Sequence, residues 1–208
     1  FMKQPKSLIL KLLILPILFA TFAFSTVENR VLDPIPWKID KVHSNIKFQI
    51  RHFFTPVEGS FEDYSGDIHF NPDDLAASKI DVEIPISSIN TKNKKRDGHL
   101  MSPDFFHAEK HPNMTFKSSE IKKADGTNSY VAIGTLSIRD VTKDFELPFQ
   151  VLGVQDHPMK EDDTKLAGIK SSFTIDRTEF NVGVDDWAAT TVVGDEVKID
   201  LLLELNSM

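Results

Sequence analysis

Three residues with chemically active side chains stand close together near the middle of the chain: Arg96, Asp97 and His99. A histidine beside a carboxylate can act as a general base. No serine or cysteine nucleophile motif accompanies them, because the sequence lacks cysteine and has no Gly-x-Ser-x-Gly. We therefore favour a structural role, in which buried charges pair with one another, over a catalytic role. A hydrolase or metal enzyme rests on these three residues alone and is the weakest hypothesis.

The other histidines do not form a recognised metal-binding motif. The sequence His107-Ala108-Glu109-Lys110-His111 differs from His-Glu-x-x-His, in which the glutamate serves a zinc-binding histidine pair. Pro112 also disfavours a helix at His111. Because cysteine is absent, disulfides and Cys-ligated metal or iron–sulfur sites are excluded. We predict neither a metal nor a cofactor. The remaining histidines are scattered: His43, His52, His69 and His157.

Arg96, Asp97 and His99 lie in a segment, Ile89 to Phe106, that interrupts the alternation of apolar and polar residues seen in most of the chain. The segment is polar and cationic as far as Arg96 and ends in two phenylalanines. Ser102 or Asp104 can cap a short helical turn, since proline follows Ser102 and suits a first helical position. We predict a partly helical insertion between two strands, which covers one end of a β-sheet structure and points its phenylalanines inward.

The elements that must position this insertion are strands. From Ile46 to Ile50 apolar and polar residues alternate strictly, which is typical of a half-buried strand. Similar patterns predict an all-β fold with eight antiparallel strands that close into a barrel, because closure removes exposed edge strands. A barrel of this size can be filled by side chains or can hold one small ligand. The predicted strands lie near residues 37–51, 57–70, 80–86, 114–121, 130–139, 145–151, 169–175 and 197–205.

The aromatic composition bears on what the barrel could hold. The chain has 16 phenylalanines against two tyrosines and two tryptophans. An interior rich in phenylalanine and poor in hydroxyl groups suits a hydrocarbon chain, which offers no hydrogen bonds. An ordinary packed core is the alternative interpretation, and the sequence alone does not separate the two.

The start of the chain has the features of a secretory signal. An apolar run at residues 12–24 is shorter than the roughly 18 residues of a membrane span and reaches the small-x-small sequence Ala23-Phe24-Ser25. We predict a signal peptide at residues 1–25, a linker at 26–36 and one domain at 37–208. An uncleaved membrane anchor is the alternative for the first segment. The protein is thus expected to be exported, either periplasmic or secreted.

The charge of the chain argues against nucleic acid as a partner. The formal net charge is −7, and loss of the predicted signal peptide removes three lysines and no acid, which makes it −10. Phosphate contacts need a cationic face, which this composition does not provide. A small basic run is either a solvated face or a contact for an anionic lipid surface. Transient contact with a membrane surface stays open, as does a homodimer. The run consists of Lys92, Lys94, Lys95 and Arg96.

A series of short motifs runs along the chain from Trp37 to Val197. In order they are Trp37-x-Ile39-Asp40, His43-Ser44, Phe48, Gly59-x-Phe61, Ser88-Ile89, Thr91, Arg96-Asp97-x-His99-Leu100, Asp104-Phe105-Phe106, Pro112, Phe116, Gly134-x-Leu136-x-Ile138, Thr142, Ile175-x-Arg177-x-x-Phe180 and Val193 to Val197. In this order the motifs resemble the YceI-like family, exported bacterial proteins of lipocalin-like architecture that bind polyisoprenoids and other amphiphilic lipids. Asp140 and Asn181 stand where that family usually has glycine, and both residue types tolerate left-handed backbone.

The resemblance implies a lipocalin-like barrel that binds, stores or transports a long-chain amphiphilic lipid, such as a polyisoprenoid or an isoprenoid quinone, in the cell envelope. It implies a binding protein and not an enzyme. Arg96, Asp97 and His99 then become candidates for a lipid head group such as a diphosphate. A filled barrel with a structural or stress-protective role is the alternative. The predicted lining residues are Phe48, Ile50, Phe61, Phe70, Ile84, Phe105, Phe106, Phe116, Leu136, Phe149, Phe173 and Phe180.

Overall fold

A computed structural model describes residues 35–188 and 191–208 of the chain. The predicted signal peptide and nearly all of the predicted linker lie outside these residues. Within them the fold is dominated by strands, with one α-helix, α1 (Lys94–Met101), and three short 3₁₀ helices at Ile86–Ser88, Thr178–Phe180 and Asp185–Trp187. The strands are β1 (Pro36–His52), β2 (Thr55–Phe61), β3 (Ser65–His69), β4 (Lys79–Pro85), β5 (Ile89–Asn90), β6 (Asn113–Lys123), β7 (Ser129–Ile138), β8 (Val141–Asp156), β9 (Lys165–Asp176) and β10 (Val193–Ser207).

The strands form one closed antiparallel barrel. Each strand pairs with its neighbours in the order β10-β9-β8-β7-β6-β4-β3-β1-β2-β5, and β10 returns to pair with β1. Strands β2 and β3 follow one another along the same edge of β1, while β5 and β4 pair with β2 and β3 in turn. The ten segments therefore occupy eight positions around the barrel, and the predicted eight-stranded antiparallel barrel is confirmed.

The strand registers define two ends of the barrel. At one end His52 of β1 pairs with Val193 of β10, and at the other end Trp37 pairs with Ser207. Helix α1, the β1–β2 turn and the segment between β9 and β10 lie at the first end, which we call the rim end. The opposite end, which we call the plug end, carries the turns at residues 70–78, 124–128 and 157–164.

An aromatic cluster fills the plug end. The ring centroid of Phe70 lies 5.1 Å from that of Tyr130 and 5.6 Å from that of Phe149, and the rings of Tyr130 and Phe149 stack at 5.4 Å. The indole N–H of Trp37 donates to the carbonyl oxygen of Phe70 at 3.0 Å, which satisfies the one polar group of that buried side chain. All four residues are buried, so we call them the aromatic plug.

Helix α1 covers the rim end, as expected for the insertion, but it begins earlier than predicted. The side chain of Asn93 accepts hydrogen bonds from the backbone N–H groups of Lys95 and Arg96, both at 3.1 Å, and caps the helix. Ser102 closes the C-terminal end, where its N–H donates to the carbonyl oxygen of His99. The turn predicted at Ser102 follows this helix: the hydroxyl of Ser102 accepts from the backbone N–H of Asp104 at 3.3 Å, and its carbonyl oxygen accepts from the N–H of Phe105 at 3.1 Å. The sequence did not predict Asn93 as the cap of α1 itself. Among the described residues, no helix is both long and apolar enough to cross a membrane.

The two positions where glycine is usual in the family behave differently. Asn181 has a φ of +57° and ends a 3₁₀ helix, so the expected left-handed backbone is present there. At the β7–β8 turn the left-handed residue is Arg139, with a φ of +53°, and not Asp140. The guanidinium of Arg139 donates to the carbonyl oxygens of Phe105, at 2.6 Å, and Asn181. These bonds tie the turn to the insertion and compensate its backbone strain.

Candidate functional site

A cavity of about 560 Å³ lies in the barrel beneath α1, and we call it the upper chamber. Part of its wall is formed by exposed residues of β1, of the α1 cap and of α1 itself, namely His52, Asn93 and Lys95, so the chamber opens to solvent at the rim end. The deeper walls are almost wholly apolar. The predicted lining residues found there are Phe48, Ile50, Phe61, Phe105, Phe106 and Phe180.

A second cavity of about 140 Å³, the lower chamber, lies between the upper chamber and the aromatic plug. Its lining includes six of the predicted residues: Phe61, Ile84, Phe116, Leu136, Phe149 and Phe173. Five residues line both chambers and form what we call the waist between them: Phe61, Met114, Ile138, Ile175 and Ile199.

One predicted lining residue, Phe70, belongs to neither chamber. Its ring lies in the aromatic plug, against Tyr130 and Phe149. The alternating pattern correctly predicts that the side chain of Phe70 points into the barrel. It does not predict where along the barrel axis that side chain lies. Phe70 is therefore a packing residue that closes the bottom of the cavity. For the other eleven residues, contact with a ligand stays a prediction.

The guanidinium of Arg96 is anchored to the start of the insertion. Its Nε donates to Oγ1 of Thr91 at 2.7 Å, and Nη2 donates to the carbonyl oxygen of Thr91 at 2.7 Å. Arg96 is half-buried in the wall of the upper chamber. Within the described residues, no carboxylate lies within 4 Å of its guanidinium. In the described part of the chain, Arg96 thus places a positive charge without a directly paired carboxylate beside an apolar cavity.

Asp97 does not form the ion pair with Arg96 that the sequence suggested. Its Oδ1 accepts from the backbone N–H of Thr91 at 2.9 Å and from the hydroxyl of Thr91 at 2.5 Å. Arg96 and Asp97 therefore both bind Thr91, which is itself buried. Among the described residues that line the upper chamber, Thr91 alone carries a hydroxyl, and that hydroxyl donates its hydrogen bond to Asp97. The arrangement fixes the helix to the residue that follows β5.

His99 lies in the same wall, and its partner is Asp104. The Nε2 atom of His99 donates to Oδ2 of Asp104 at 2.8 Å. The imidazole ring packs edge-on against Phe105, with 5.1 Å between centroids, and against Trp187, with 4.8 Å. The carboxylate orients the ring, while the two aromatic rings hold it at the rim. His99 therefore joins α1 to the segment between β9 and β10.

Sequence reasoning did not single out Arg177, which the structure places in the wall of the upper chamber. The residue is only 4% exposed, and its guanidinium donates to five carbonyl oxygens. Burial lowers the pKa of Arg177 from its usual value, against the opposing pull of Asp176 and Asp195, but a guanidinium still remains protonated. The five acceptors belong to Val182, Gly183, Trp187, Val193 and Gly194.

These bonds make Arg177 the organiser of the rim segment between β9 and β10. Gly183 fits beside it only because it has no side chain: a Cβ there would lie 2.6 Å from the Phe105 ring and 2.7 Å from the Arg177 guanidinium. Its φ of +62° also favours glycine. In the sequence, only the family motif around Arg177 pointed to this role. Its hydrogen-bond partners are backbone carbonyl groups, so no acidic side chain in the sequence marks them.

A cluster that could in principle bind a cation lies on the outer wall of the barrel, away from both chambers. Ligand atoms of Asp40, His43 and Glu204 lie within 4.8 Å of one another. Asp40 pairs directly with Glu204 across β1 and β10, and His43 bonds Asp40 at 3.0 Å. This bond raises the pKa of His43 and lowers the pKa of Asp40. The imidazole of His43 lies 3.0 Å from a carboxylate oxygen of Asp40 and 3.5 Å from one of Glu204, so a hydrogen-bonded surface group accounts for the geometry without a cation.

Comparison with known families places this geometry among related proteins. A family model described as YceI-like domain matches residues 37–205. A UPF0312 protein of Pectobacterium atrosepticum is 36% identical over 152 residues, which cover 72% of this chain and 77% of that protein. Protein YceI of Escherichia coli is 33% identical over 175 residues, which cover 83% of this chain and 87% of that protein.

Solved structures share the barrel. BcnA of Burkholderia cenocepacia superposes with a TM-score of 0.69 at 27% identity, over 80% of this chain and 98% of that one. The YceI protein of Campylobacter jejuni gives a TM-score of 0.63 at 32% identity, over 74% and 87% of the two chains. A polyisoprenoid binding domain from Saccharophagus degradans gives 0.61 at 15% identity, over 84% and 99%, a likeness of fold alone.

Proposed function

Because the chain belongs to the YceI-like family, we propose that it binds a long-chain amphiphilic lipid, such as a polyisoprenoid or an isoprenoid quinone, non-covalently inside its barrel. In this function the protein stores or carries the lipid and performs no chemical step on it. The proposed location is the cell envelope, since the sequence features of residues 1–25 are those of an export signal.

The observation that carries the proposal is the pair of apolar chambers. The upper chamber of about 560 Å³ meets the lower chamber at a waist of five apolar residues, and both are lined mainly by phenylalanine and aliphatic side chains. A hydrocarbon tail needs no hydrogen bonds and gains about 0.8 kcal/mol for each buried methylene. About ten buried methylenes outweigh the loss of translational and rotational freedom in most estimates. The cavity therefore suits a long tail better than a polar metabolite.

The polar groups indicate how such a lipid would lie. The lower chamber ends at the aromatic plug, while the cationic side chains of Lys95 and Arg96 border the upper chamber at the rim end. A tail directed towards the plug leaves the head group beside these two cations. A domain of the same fold, from Saccharophagus degradans, is a polyisoprenoid binding domain, which supports a lipid with an isoprenoid tail.

Native mass spectrometry of the purified protein tests the proposal directly. We expect a mass above that of the polypeptide, lost on denaturation, and an isoprenoid lipid in the organic extract. Protein that arrives without lipid is expected to take up a fluorescent apolar probe. A protein that carries no lipid and takes up no probe would instead support the filled barrel with a structural or stress-protective role.

Replacing Arg96 with alanine is expected to weaken binding of a diphosphate-headed lipid at least tenfold and to leave a neutral lipid with the same tail unchanged. A hydrogen bond to a charged group contributes roughly 1.5–3 kcal/mol, which corresponds to a factor of about ten or more. Fluorescence titration of both lipids measures the difference. Lys94→Ala is the matched control, because Lys94 is exposed on the same helix and outside the chamber lining. Equal loss for both lipids would reduce Arg96 to a support for α1.

A further inference from the structure

The β1–β2 turn at the rim end exposes two phenylalanines. Phe54 is 98% exposed and Phe53 is 49% exposed. Two-residue hairpin turns favour Asn-Gly or Asp-Gly, because the turn requires positive φ and faces water. Here Phe53 adopts a φ of +50°, a strained conformation for an aromatic residue. The turn therefore combines a strained backbone with exposed apolar side chains. Asn-Gly or Asp-Gly at these two positions would remove the strain and the apolar exposure.

The backbone of this turn is fixed while the outer ring projects into solvent. The N–H of Phe53 donates to the carbonyl oxygen of Val192 at 2.8 Å, and the guanidinium of Arg51 donates to the carbonyl oxygen of Phe53 at 2.7 Å. These bonds hold the turn against the segment that precedes β10. Phe54 is therefore exposed on a turn whose backbone is held by hydrogen bonds, and not on a loosely held loop.

The turn stands at the mouth of the upper chamber. His52 and Val57, on either side of it, both line that chamber. The other side of the mouth is formed by the start of α1, where three exposed lysines follow one another in Lys92, Lys94 and Lys95. Within the described part of the chain, none of the three lysines has a carboxylate within 4 Å. An aromatic tip and a cationic edge thus border the same opening.

Acidic residues also lie at the rim end, so the positively charged surface is limited to the lysines at the start of α1. Asp185 and Asp186 are exposed in the 3₁₀ helix beside Trp187, and Asp195 lies near the start of β10. Glu58 accepts a hydrogen bond from Gln49 in the β1–β2 hairpin. Long-range attraction from an acidic chain does not drive contact with an anionic surface. Aromatic insertion must therefore supply the anchor, and the lysines at α1 supply the local charge complement.

We propose that the β1–β2 turn and the start of α1 form a surface that docks on an anionic phospholipid bilayer, with Phe53 and Phe54 entering the interface and the lysines meeting the head groups. Two aromatic side chains are too small an area for a stable protein partner, which needs about 800 Å² on each side. They suffice for reversible insertion beside cationic groups. The inference rests on the lipid-carrier function proposed above, because docking there brings the cavity mouth against the membrane.

The absence of cysteine makes a position-specific test simple. Phe54→Cys, labelled with an environment-sensitive fluorophore, is mixed with vesicles of phosphatidylethanolamine and phosphatidylglycerol, and then with vesicles of phosphatidylcholine. The matched control is Met159→Cys, because Met159 is 86% exposed and lies in a turn at the plug end. We expect a blue shift and a several-fold rise in emission at position 54 with the anionic vesicles alone. Equal emission at both positions, or no preference for anionic vesicles, overturns the proposal.

A second measurement separates docking from lipid binding. Phe54→Ser is expected to slow transfer of a fluorescent polyprenyl lipid from anionic vesicles about tenfold, while its loading from detergent micelles stays unchanged. Met159→Ser should alter neither. The label at position 54 reports insertion even in a protein that holds no lipid, so failure of the carrier function and failure of docking give different results. Unchanged transfer by the Phe54→Ser protein contradicts the proposal.

Discussion

Replacing Arg177 with methionine is expected to destabilise the protein by about 3 to 5 kcal/mol, because five carbonyl oxygens, three of them buried and two partly buried, lose their donor at once. Methionine retains part of the apolar volume but offers no N–H group. For a domain of this size the loss corresponds to a fall in Tm on the order of 10 °C. The unfolding free energy from denaturant titration and the Tm from calorimetry both measure it.

Two companion variants identify the cause of that loss. Lys170→Met removes a positive charge from an exposed position on β9 and is expected to change stability by less than about 0.5 kcal/mol. Arg177→Lys keeps the charge but brings fewer donors in a different geometry, so it should recover only a small part of the stability. If Arg177→Met costs less than about 1 kcal/mol, the carbonyl groups find other donors and Arg177 does not organise the rim.

Replacing Ile199 with tryptophan is expected to weaken binding of a long-chain polyprenyl lipid on the order of a hundredfold and to leave a short-chain lipid nearly unaffected. Ile199 lies at the waist and lines both chambers. A larger side chain there blocks the lower chamber while the upper chamber stays open. Exclusion of about four methylenes, at about 0.8 kcal/mol each, accounts for the hundredfold loss.

Binding of two lipids that differ only in tail length measures this effect. Ile199→Val is the matched control, because it keeps an aliphatic side chain and leaves the waist open. The tryptophan faces an existing cavity and not a packed core, so its Tm should stay close to that of the original protein. Equal weakening of both lipids, with Tm unchanged, would show that the tail does not reach past the waist.

The barrel itself could be predicted because its signals are local in sequence. The alternation from Ile46 to Ile50 fixes which side chains share a face, and the same pattern recurs in the other strands. Closure follows from the need to pair the edge strands. The family's usual glycine predicted the left-handed backbone at Asn181, whereas the same argument does not hold at Asp140, where Arg139 takes the positive φ.

Other features depend on contacts between segments that are distant in sequence, and the sequence did not predict them. The carbonyl groups around Arg177 come from the segment after β9 and from the first two residues of β10, and their approach is set by the register of β9 and β10. Asp97 was expected beside Arg96, but the backbone and hydroxyl of Thr91 compete for both side chains. The height of Phe70 along the barrel depends on strand stagger, which a period-two pattern does not encode.

The aromatic plug has a consequence for the proposed carrier function. In that function a lipid whose tail lies against the plug enters and leaves through the opening at the rim end, so it goes in tail first and comes out head first. It would then meet the receiving membrane with the opposite end forward from the one that led it out of the donor. Such a protein is a shuttle and not a conduit, and the flux it supports rises with the number of copies in transit.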